Sequence, residues 1–266
     1  MSKEQRDGIP DPIKRRVRQR CGYGCVICGA PIYEYDHIIE WSIVKKHEAE
    51  NITLLCPQHH SEKTKGLLTK EQVVRANSKP FALQEGNNPP LNLNFEGNKA
   101  SLKVGSLTFI NEDVGFGAQL VPILIDGIPL VNIKLVSSKY LISMILFDRY
   151  NFPILKAVDN ELIFRNDLFD VEMKANRLII REAAGKILIE MVFKPPNEII
   201  FRRGHLFCNG VEILVTKEGF KVINTNNTFR GTGIFNGPIG LMIGHPQYER
   251  GIMAIPKVDR YKNISS

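Results

Sequence analysis

The sequence predicts an α+β protein, with a small N-terminal domain of helices and short strands followed by an all-β C-terminal domain. Three observations predict this architecture. Two short pairs of potential metal ligands, cysteine or histidine, lie within the first 60 residues. A stretch rich in proline, glycine and asparagine follows at residues 79–90. After it, apolar residues recur mainly at every second position, as in β-strands. We therefore expect a first domain over residues 1–78, a linker over 79–90 and a β-rich domain over 91–266.

The charge of the chain restricts its partners only loosely. The net charge is +7 and the pI is near 9.1, and residues 1–80 carry 14 lysines and arginines against 10 acidic residues. This basic excess favours a polyanionic partner such as DNA. A solvated surface that happens to be basic explains the charge equally well.

Nothing in the sequence indicates secretion or membrane insertion. Residues 1–7 contain no apolar stretch like that of a signal peptide, and the longest apolar run, near residues 141–147, is far shorter than the ~20 residues that span a bilayer. Five cysteines, an odd number, fit a metal role in a reducing compartment better than a set of disulfides. We expect a cytoplasmic protein with no membrane partner.

The first predicted helix begins at Asp11, which suits the N-cap, and Pro12, which suits the first helical position. Ile13 and Val17 then lie four residues apart on one face. The other faces are basic and include Arg15, Arg16 and Arg18. Such a helix can bind the phosphate backbone of DNA through these arginines. The alternative is an amphipathic helix whose arginines are only solvated.

The cysteine and histidine pairs indicate a structural metal site. Cys25-x-x-Cys28 has the form of a zinc knuckle, in which two thiolates reach one ion, although alone it also fits a redox pair. Cys56-x-x-His59 repeats the spacing and completes a tetrahedral set of three sulfurs and one imidazole nitrogen. We expect these four residues to bind a structural Zn²⁺, with Cys21 as a weaker substitute ligand because of its longer spacing.

A second polar set is interleaved with these ligands. The aromatic and β-branched residues at 33–41 predict a strand that contains Asp36 and His37. Adjacent residues of a strand point to opposite sides, so these two meet one substrate only if the chain bends there. His59 and His60 open a predicted helix, where neighbouring residues lie on different faces, so that each can bind a different ion.

Several motifs occur in a fixed order between residues 20 and 66. They are a CxxC pair, Asp-His-Ile, an Asn ahead of Leu-Leu-Cys, and CxxHH followed by Lys-Thr. They stand at Cys25 and Cys28, Asp36-His37-Ile38, Asn51, Leu54-Leu55-Cys56, His59-His60 and Lys63-Thr64. In this combination the sequence resembles the HNH endonuclease family in its zinc-stapled form. The resemblance implies a ββα-metal core, in which a hairpin and a helix hold one catalytic divalent ion.

The resemblance also implies an activity, the metal-dependent hydrolysis of DNA phosphodiester bonds. His37 would be the general base, because a neutral imidazole with an ordinary pKa near ~6.5 can accept a proton from water. Asp36 and His60 would hold Mg²⁺ or Mn²⁺, which stabilises charge on the phosphate. Asn51 would order the loop and orient His37, and Lys63 would contact a phosphate. The alternative is a zinc-stapled DNA-binding module without catalysis.

Two positions depart from the family pattern. Glu40 stands where many relatives have proline, which leaves the geometry of the following loop open. His59 stands where cysteine is common among the zinc ligands, so the reverse assignment, with His60 on the zinc and His59 on the catalytic ion, also stays open. His47 lies in a charged stretch and is interpreted as a solvated loop histidine.

The residues after the linker predict short strands joined by tight turns. Apolar residues recur at every second position at Ile187, Ile189, Met191 and Phe193, and Asn209-Gly210 between two apolar runs indicates a type I′ hairpin. A sandwich is the expected architecture, with a β-solenoid as the alternative. We expect this domain to target, sense or assemble, by binding a regulatory ligand or by forming a homo-oligomer.

Overall fold

The computed structural model of the protein describes residues 8–97, 99–111, 119–165, 168–244 and 251–261. The chain forms two compact units, which divide between Pro89 and Pro90. The first unit carries helices and a pair of short strands, and the second is built mainly from strands. The predicted order, a small α+β domain followed by a β-rich domain, is confirmed.

Short helices surround a two-stranded hairpin in the first unit. Its helices are α1 (Asp11–Arg20), α2 (Trp41–Val44), α3 (Pro57–Thr64), α4 (Lys70–Ser78) and α5 (Phe81–Gln84), and its strands are β1 (Glu34–His37) and β2 (Ile52–Leu55). The two strands are antiparallel, and α3 follows β2 almost directly. This hairpin followed by a helix is the ββα order that the resemblance implied. Within the described residues, no helix is long and apolar enough to cross a membrane.

The core of the first unit forms around β2, which is buried along its whole length. Val17 of α1 and Val73 of α4 pack into the same cluster, together with the apolar residues of β2 and the cysteines. Helix α1 begins one residue earlier than predicted, because Pro10 rather than Asp11 occupies the N-cap. The predicted contact face of this helix is nevertheless the one that packs, since Val17 is fully buried.

Arg20, the last residue of α1, joins this helix to the rest of the first unit. Its guanidinium donates hydrogen bonds to the carbonyl oxygens of Ala49 (2.7 Å) and Ile52 and to Asn77 Oδ1 (3.2 Å). Arg20→Met should lower the free energy of unfolding by about 2–4 kcal/mol, because hydrogen bonds from a charged donor are lost. Arg16→Met, on an exposed side chain of the same helix, should change it by less than about 0.5 kcal/mol. Denaturation followed by tryptophan fluorescence measures both, and equal effects would contradict this role of Arg20.

The residues predicted as a linker contribute structure to the first unit. They contain α5, and the amide of Phe81 donates to the carbonyl oxygen of Val26 (2.9 Å). Asn88 is buried, and its Nδ2 donates to the carbonyl oxygens of Gly22 and Gly29, both at 3.0 Å. The chain after α4 therefore supports the turn that carries the first cysteine pair.

The second unit consists of strands in two sheets. The strands are β3 (Ala100–Val104), β4 (Leu107–Asn111), β5 (Gln119–Ile125), β6 (Ile128–Val136), β7 (Lys139–Phe147), β8 (Pro153–Val158), β9 (Glu161–Arg165), β10 (Asp170–Lys174), β11 (Arg177–Ala183), β12 (Lys186–Lys194), β13 (Glu198–Cys208), β14 (Val211–Thr216), β15 (Gly219–Val222), β16 (Asn227–Arg230), β17 (Gly233–Asn236), β18 (Ile239–Ile243) and β19 (Gly251–Ile255). The ten-stranded sheet runs β10-β11-β12-β13-β14-β15-β16, with β3 paired to β13, β4 to β3 and β17 to β4. The seven-stranded sheet runs β19-β18-β5-β6-β7-β8-β9.

The two sheets share one hydrophobic core. Among its largest fully buried side chains are Phe109, Phe201 and Phe220 of the ten-stranded sheet and Ile123 and Ile133 of the seven-stranded sheet. Strands such as β7 alternate buried and less buried residues, as expected when one face of a sheet covers a core. The predicted all-β domain is confirmed, and its two sheets on a common core correspond to the sandwich rather than to the solenoid.

The turn at Asn209-Gly210 has the predicted type I′ form. Strand β13 ends at Cys208 and β14 begins at Val211, and these two residues are paired. Asn209 has φ of 48° and Gly210 has φ of 73°. Both values lie in the left-handed region that a type I′ turn requires and that asparagine and glycine tolerate.

Candidate metal centre and active site

The first cysteine pair lies on a tight turn between α1 and β1. The amide of Gly29 donates to the carbonyl oxygen of Cys25 (2.7 Å), which folds the backbone at Cys28 back toward Cys25. Gly29 has φ of +71°, and a side chain on Gly24 would come within 2.2 Å of the Gly29 carbonyl oxygen. The turn therefore requires glycine at both positions.

The second pair lies where β2 runs into α3. Cys56 is the residue that precedes the helix, and Pro57 occupies the first turn, where its fixed φ suits a helix start. His59 lies in the same turn, so its ring and the Cys56 thiol are neighbours. The amide of Val26 donates to the carbonyl oxygen of Leu54 (3.0 Å), which joins the first turn to β2 and brings the two pairs together.

The two pairs form a compact donor cluster. Its members, whose donor atoms all lie within 4.8 Å of one another, are Cys25, Cys28, Cys56 and His59. His59 Nδ1 lies 3.5 Å from Cys25 Sγ and 3.2 Å from Cys56 Sγ, and the Sγ atoms of Cys28 and Cys56 are 3.8 Å apart. A tetrahedral zinc ion with bonds of about 2.3 Å to sulfur and about 2.0 Å to nitrogen separates its donors by about 3.6–3.8 Å. The donor set and its spacing fit a structural zinc ion, and Cys21 stands outside the cluster.

The environment of the thiols favours a bound cation. Burial raises the pKa of the Cys25 thiol above its ordinary value, and burial raises the pKa of the Cys28 thiol to about 12. Zinc binds thiolates, so a cation has to offset the cost of placing their negative charge in this environment. The cluster is therefore suited to hold a metal ion and poorly suited to hold thiolates alone.

The two adjacent histidines face different groups. His59 belongs to the cysteine cluster, whereas His60 faces β1. His60 Nε2 lies 3.5 Å from Asp36 Oδ1, and His60 Nδ1 lies 3.3 Å from Glu34 Oε2. Glu34 and Asp36 are two residues apart on β1, which places them on the same side of the strand. The structure thus brings Asp36 and His60 together and adds Glu34, which the period of the strand could have indicated.

Lys63 joins α3 to β1. Its ammonium forms an ion pair with the carboxylate of Asp36 and donates a hydrogen bond to the carbonyl oxygen of His37 (2.8 Å). The Asp36 side chain is 12% exposed, so this pair is partly shielded from water. The sequence suggested a phosphate contact for Lys63, and the structure gives it contacts within the protein that fix the end of β1.

His37 is the last residue of β1 and is 7% exposed. Its ring packs edge-on against the ring of Trp41, with centroids 5.6 Å apart, and lies 5.4 Å from the ring of His47. The rings of Trp41 and His47 are 4.4 Å apart. The interpretation of His47 as a solvated loop histidine is therefore wrong, because it packs in a ring cluster beside His37.

Asn51 holds the chain that follows His37. Its Oδ1 accepts a hydrogen bond from the amide of Ile39 (2.7 Å), and its Nδ2 donates to the carbonyl oxygen of the same residue (3.1 Å). The backbone oxygen of Asn51 accepts from the amide of Ile38 (2.8 Å). Asn51 is buried, so these bonds are shielded from competing water. They fix the backbone immediately after His37.

The three arginines considered for DNA binding differ in exposure. Arg16 is exposed and Arg15 is half-buried. Arg18 is only 4% exposed, and its guanidinium donates a hydrogen bond to the hydroxyl of Tyr35 on β1. This hydrogen bond of Arg18 joins α1 to β1. Of the three arginine side chains, that of Arg16 is the most exposed.

The segment that contains both groups of side chains is similar to one known protein family. Residues 19–66 match the family model described as HNH endonuclease. The match spans both ligand pairs, β1, β2 and α3, and ends before the second unit. No curated protein and no solved structure matches the chain. The resemblance over residues 20–66 is therefore confirmed, and the match supports a nuclease-type function in general for this segment.

Proposed function

We propose that the protein is a metal-dependent endonuclease that hydrolyses phosphodiester bonds in DNA. The observation that carries this proposal is the meeting of β1 and α3, where Asp36 and His60 lie 3.5 Å apart beside the strand that ends at His37. The family match over residues 19–66 supports the same class of reaction. One carboxylate and one imidazole suit a divalent ion that keeps several waters and binds substrate phosphate.

The side chains around this meeting point have separate tasks in the proposed reaction. His37 accepts a proton from the attacking water, and the two neighbouring rings hold it in place. Asp36 and His60 would hold Mg²⁺ or Mn²⁺, and Glu34 orients the His60 ring through Nδ1. When bound, the ion supplies positive charge that stabilises the phosphate as negative charge builds up during cleavage.

Other residues of the first unit position these groups and the substrate. Asn51 fixes the backbone after His37, and Lys63 fixes Asp36 against α3 at the edge where a phosphate would lie. Arg15 and Arg16 on α1 bind phosphates outside the cleaved bond, which makes the affinity for DNA depend on salt.

The structural zinc acts on the proposed reaction through α3. His59 and His60 are adjacent in the first turns of this helix, so a zinc ion bound by His59 also fixes the position of His60. Thiolate ligands require a reducing compartment, and we place the protein in the cytoplasm on that ground. The second unit would then direct, regulate or assemble the nuclease.

Cleavage of supercoiled plasmid by the full-length protein tests the proposal. With Mg²⁺ or Mn²⁺ the parent should produce nicked or linear DNA, and the products should carry 5′-phosphate ends. Asp36→Asn should slow cleavage by about 100-fold or more, because a ligand of the ion is lost. Its binding to DNA in a gel-shift assay should stay within about threefold, because cationic contacts dominate affinity.

Glu50→Gln is the matched control, since it removes the charge of an exposed acidic residue in the same unit. It should cut DNA at the parent rate. A parent protein that binds DNA but never cuts it, with any divalent ion, would be a zinc-stapled binding module and would overturn the proposal.

A further inference from the structure

The second unit contains an open cavity lined by cations. Its volume is about 560 Å³, and it lies beside β12, β13 and the end of β14. The basic residues of its lining are Arg177, Arg202, Arg203 and Lys217. The other lining residues are Glu190, Val215 and Thr216. The volume lies in the range of pockets that hold small ligands.

A β-bulge directs two consecutive arginines at one carboxylate. Glu190 of β12 pairs with Arg203 of β13. The next residue, Met191, pairs with Phe201, so Arg202 is the extra residue of the bulge. In a regular strand the two arginines would point to opposite faces. Here Arg203 Nε donates to Glu190 Oε2 (2.6 Å), and Arg202 Nη1 lies 3.6 Å from Glu190 Oε1.

Glu190 anchors the guanidinium groups without neutralising them. Its side chain is 1% exposed, and Arg177 Nη1 lies 3.4 Å from its Oε1. Burial acts to raise the pKa of this carboxyl, but the hydrogen bond from Arg203 and the nearby arginine charges outweigh it, so the pKa lies below its ordinary value. Four cationic side chains against one carboxylate leave three positive charges at the cavity.

The arginines of the bulge keep donors for a ligand. The side chains of Arg202 and Arg203 are 60% and 58% exposed, respectively. Each guanidinium has five N–H donors, whereas the carboxylate of Glu190 offers two oxygens shared among three arginines. Lys217 is exposed at the same cavity. Guanidinium groups fixed in this way are suited to bind the oxygens of a phosphate in bidentate geometry.

Charges on neighbouring strands favour a compact anion over an extended polymer. Arg181 is paired with Asp170 and Glu172 at 3.0 and 3.3 Å. Lys194 is paired with Glu198 at 3.3 Å. Each of these two cations is therefore offset by a carboxylate of the same sheet. A nucleic acid backbone is bound along a groove by successive cations, whereas four cations meet here around one carboxylate.

We propose that this cavity binds a compact phosphate-bearing ligand of nucleotide size, with its phosphate groups held by Arg202, Arg203 and Lys217. The buried Glu190 orients the arginines through its ion pairs with them. This binding site goes beyond the proposed nuclease function and does not depend on it, because it is built entirely from residues of the second unit.

Calorimetric titration of the full-length protein with ADP and with inorganic pyrophosphate, at low salt and without added divalent metal, tests the proposal. The parent should bind both probes. The double variant Arg202→Gln with Lys217→Gln should bind them about 100-fold more weakly, because two charge-assisted contacts are lost. Both substituted side chains are exposed, so the thermal unfolding of the variant should match that of the parent.

The double variant Arg230→Gln with Lys186→Gln is the matched control. It removes the same two charges from exposed positions outside the cavity and should bind the probes like the parent. Equal affinity of the cavity variant and the parent would overturn the proposal, as would the absence of binding to either probe. The protein could instead bind only a DNA duplex, with the cavity substitutions weakening that binding. The cavity would then be a site for a polymer, and this result would also overturn the proposal.

Discussion

His37→Ala should slow plasmid cleavage by about 10²–10⁴-fold, the factor that a general base typically supplies. The substitution should leave the structure of the first unit largely in place. The hydrogen bond that His37 accepts from Lys63 is made by its backbone oxygen and survives the change of side chain. The initial rate of nicking at saturating Mg²⁺ measures the effect. Zinc content and the far-UV circular dichroism of the variant should match those of the parent.

His47→Ala is the matched control for His37→Ala. The ring of His47 belongs to the same cluster and lies 4.4 Å from that of Trp41. If this ring only positions His37, its loss should cost less than about tenfold in rate, or about 1.4 kcal/mol in the barrier. Added imidazole should restore part of the activity of the His37 variant and none of that of the His47 variant. A His37→Ala protein that cuts as fast as the parent would exclude His37 as the base.

The metal cluster could be predicted from the sequence because its ligands are close neighbours within each pair. Cys25 and Cys28 share one turn, and Cys56 and His59 share the start of one helix, so spacing alone places each pair. The hairpin between them then has only to bring two short segments together. The different directions of His59 and His60 follow from the rotation of about 100° per residue in a helix.

The surroundings of His37 could not be predicted in the same way. Trp41 and His47 reach its ring through α2 and the left-handed backbone of Lys45, which has φ of 48°. Lysine seldom adopts this conformation, so local sequence gives no sign of the turn. Whether a histidine in a charged loop is solvated depends on such long-range packing, which the residues around His47 do not indicate.

The alternation of apolar residues predicted the β-rich domain but not the cavity within it. Glu190 lies between Ile189 and Met191 of the alternating apolar set, where an exposed carboxylate would be expected. It is buried instead, because the register of β12 against β13 shifts at this point and sets Arg202 and Arg203 over it. A bulge of this kind depends on the pairing of two strands and leaves no pattern in either strand alone.

Loss of the zinc ligands should unfold the first unit and leave the second folded. Among the described residues of the first unit, ten form its buried cluster, and Cys25 and Cys56 are two of them. A core of this size is marginal alone, whereas binding of a structural zinc ion contributes about 10–16 kcal/mol. The parent should contain about one zinc per chain and Cys56→Ser should contain little. Trp41, the single tryptophan of the chain, lies in the first unit, so its fluorescence should show this unit of the variant to be unfolded without denaturant.

Cys21→Ser is the matched control, because it exchanges the same atom in the same buried cluster but outside the donor set. It should keep its zinc and lose only about 1–2 kcal/mol of stability. Full zinc content and an unchanged fluorescence transition in Cys56→Ser would refute the structural role of the ion. Since His59 and His60 share one helix, Cys56→Ser should lose both fold and cleavage, whereas His37→Ala should lose cleavage alone. That contrast separates the ion that holds the domain together from the groups that carry out the reaction.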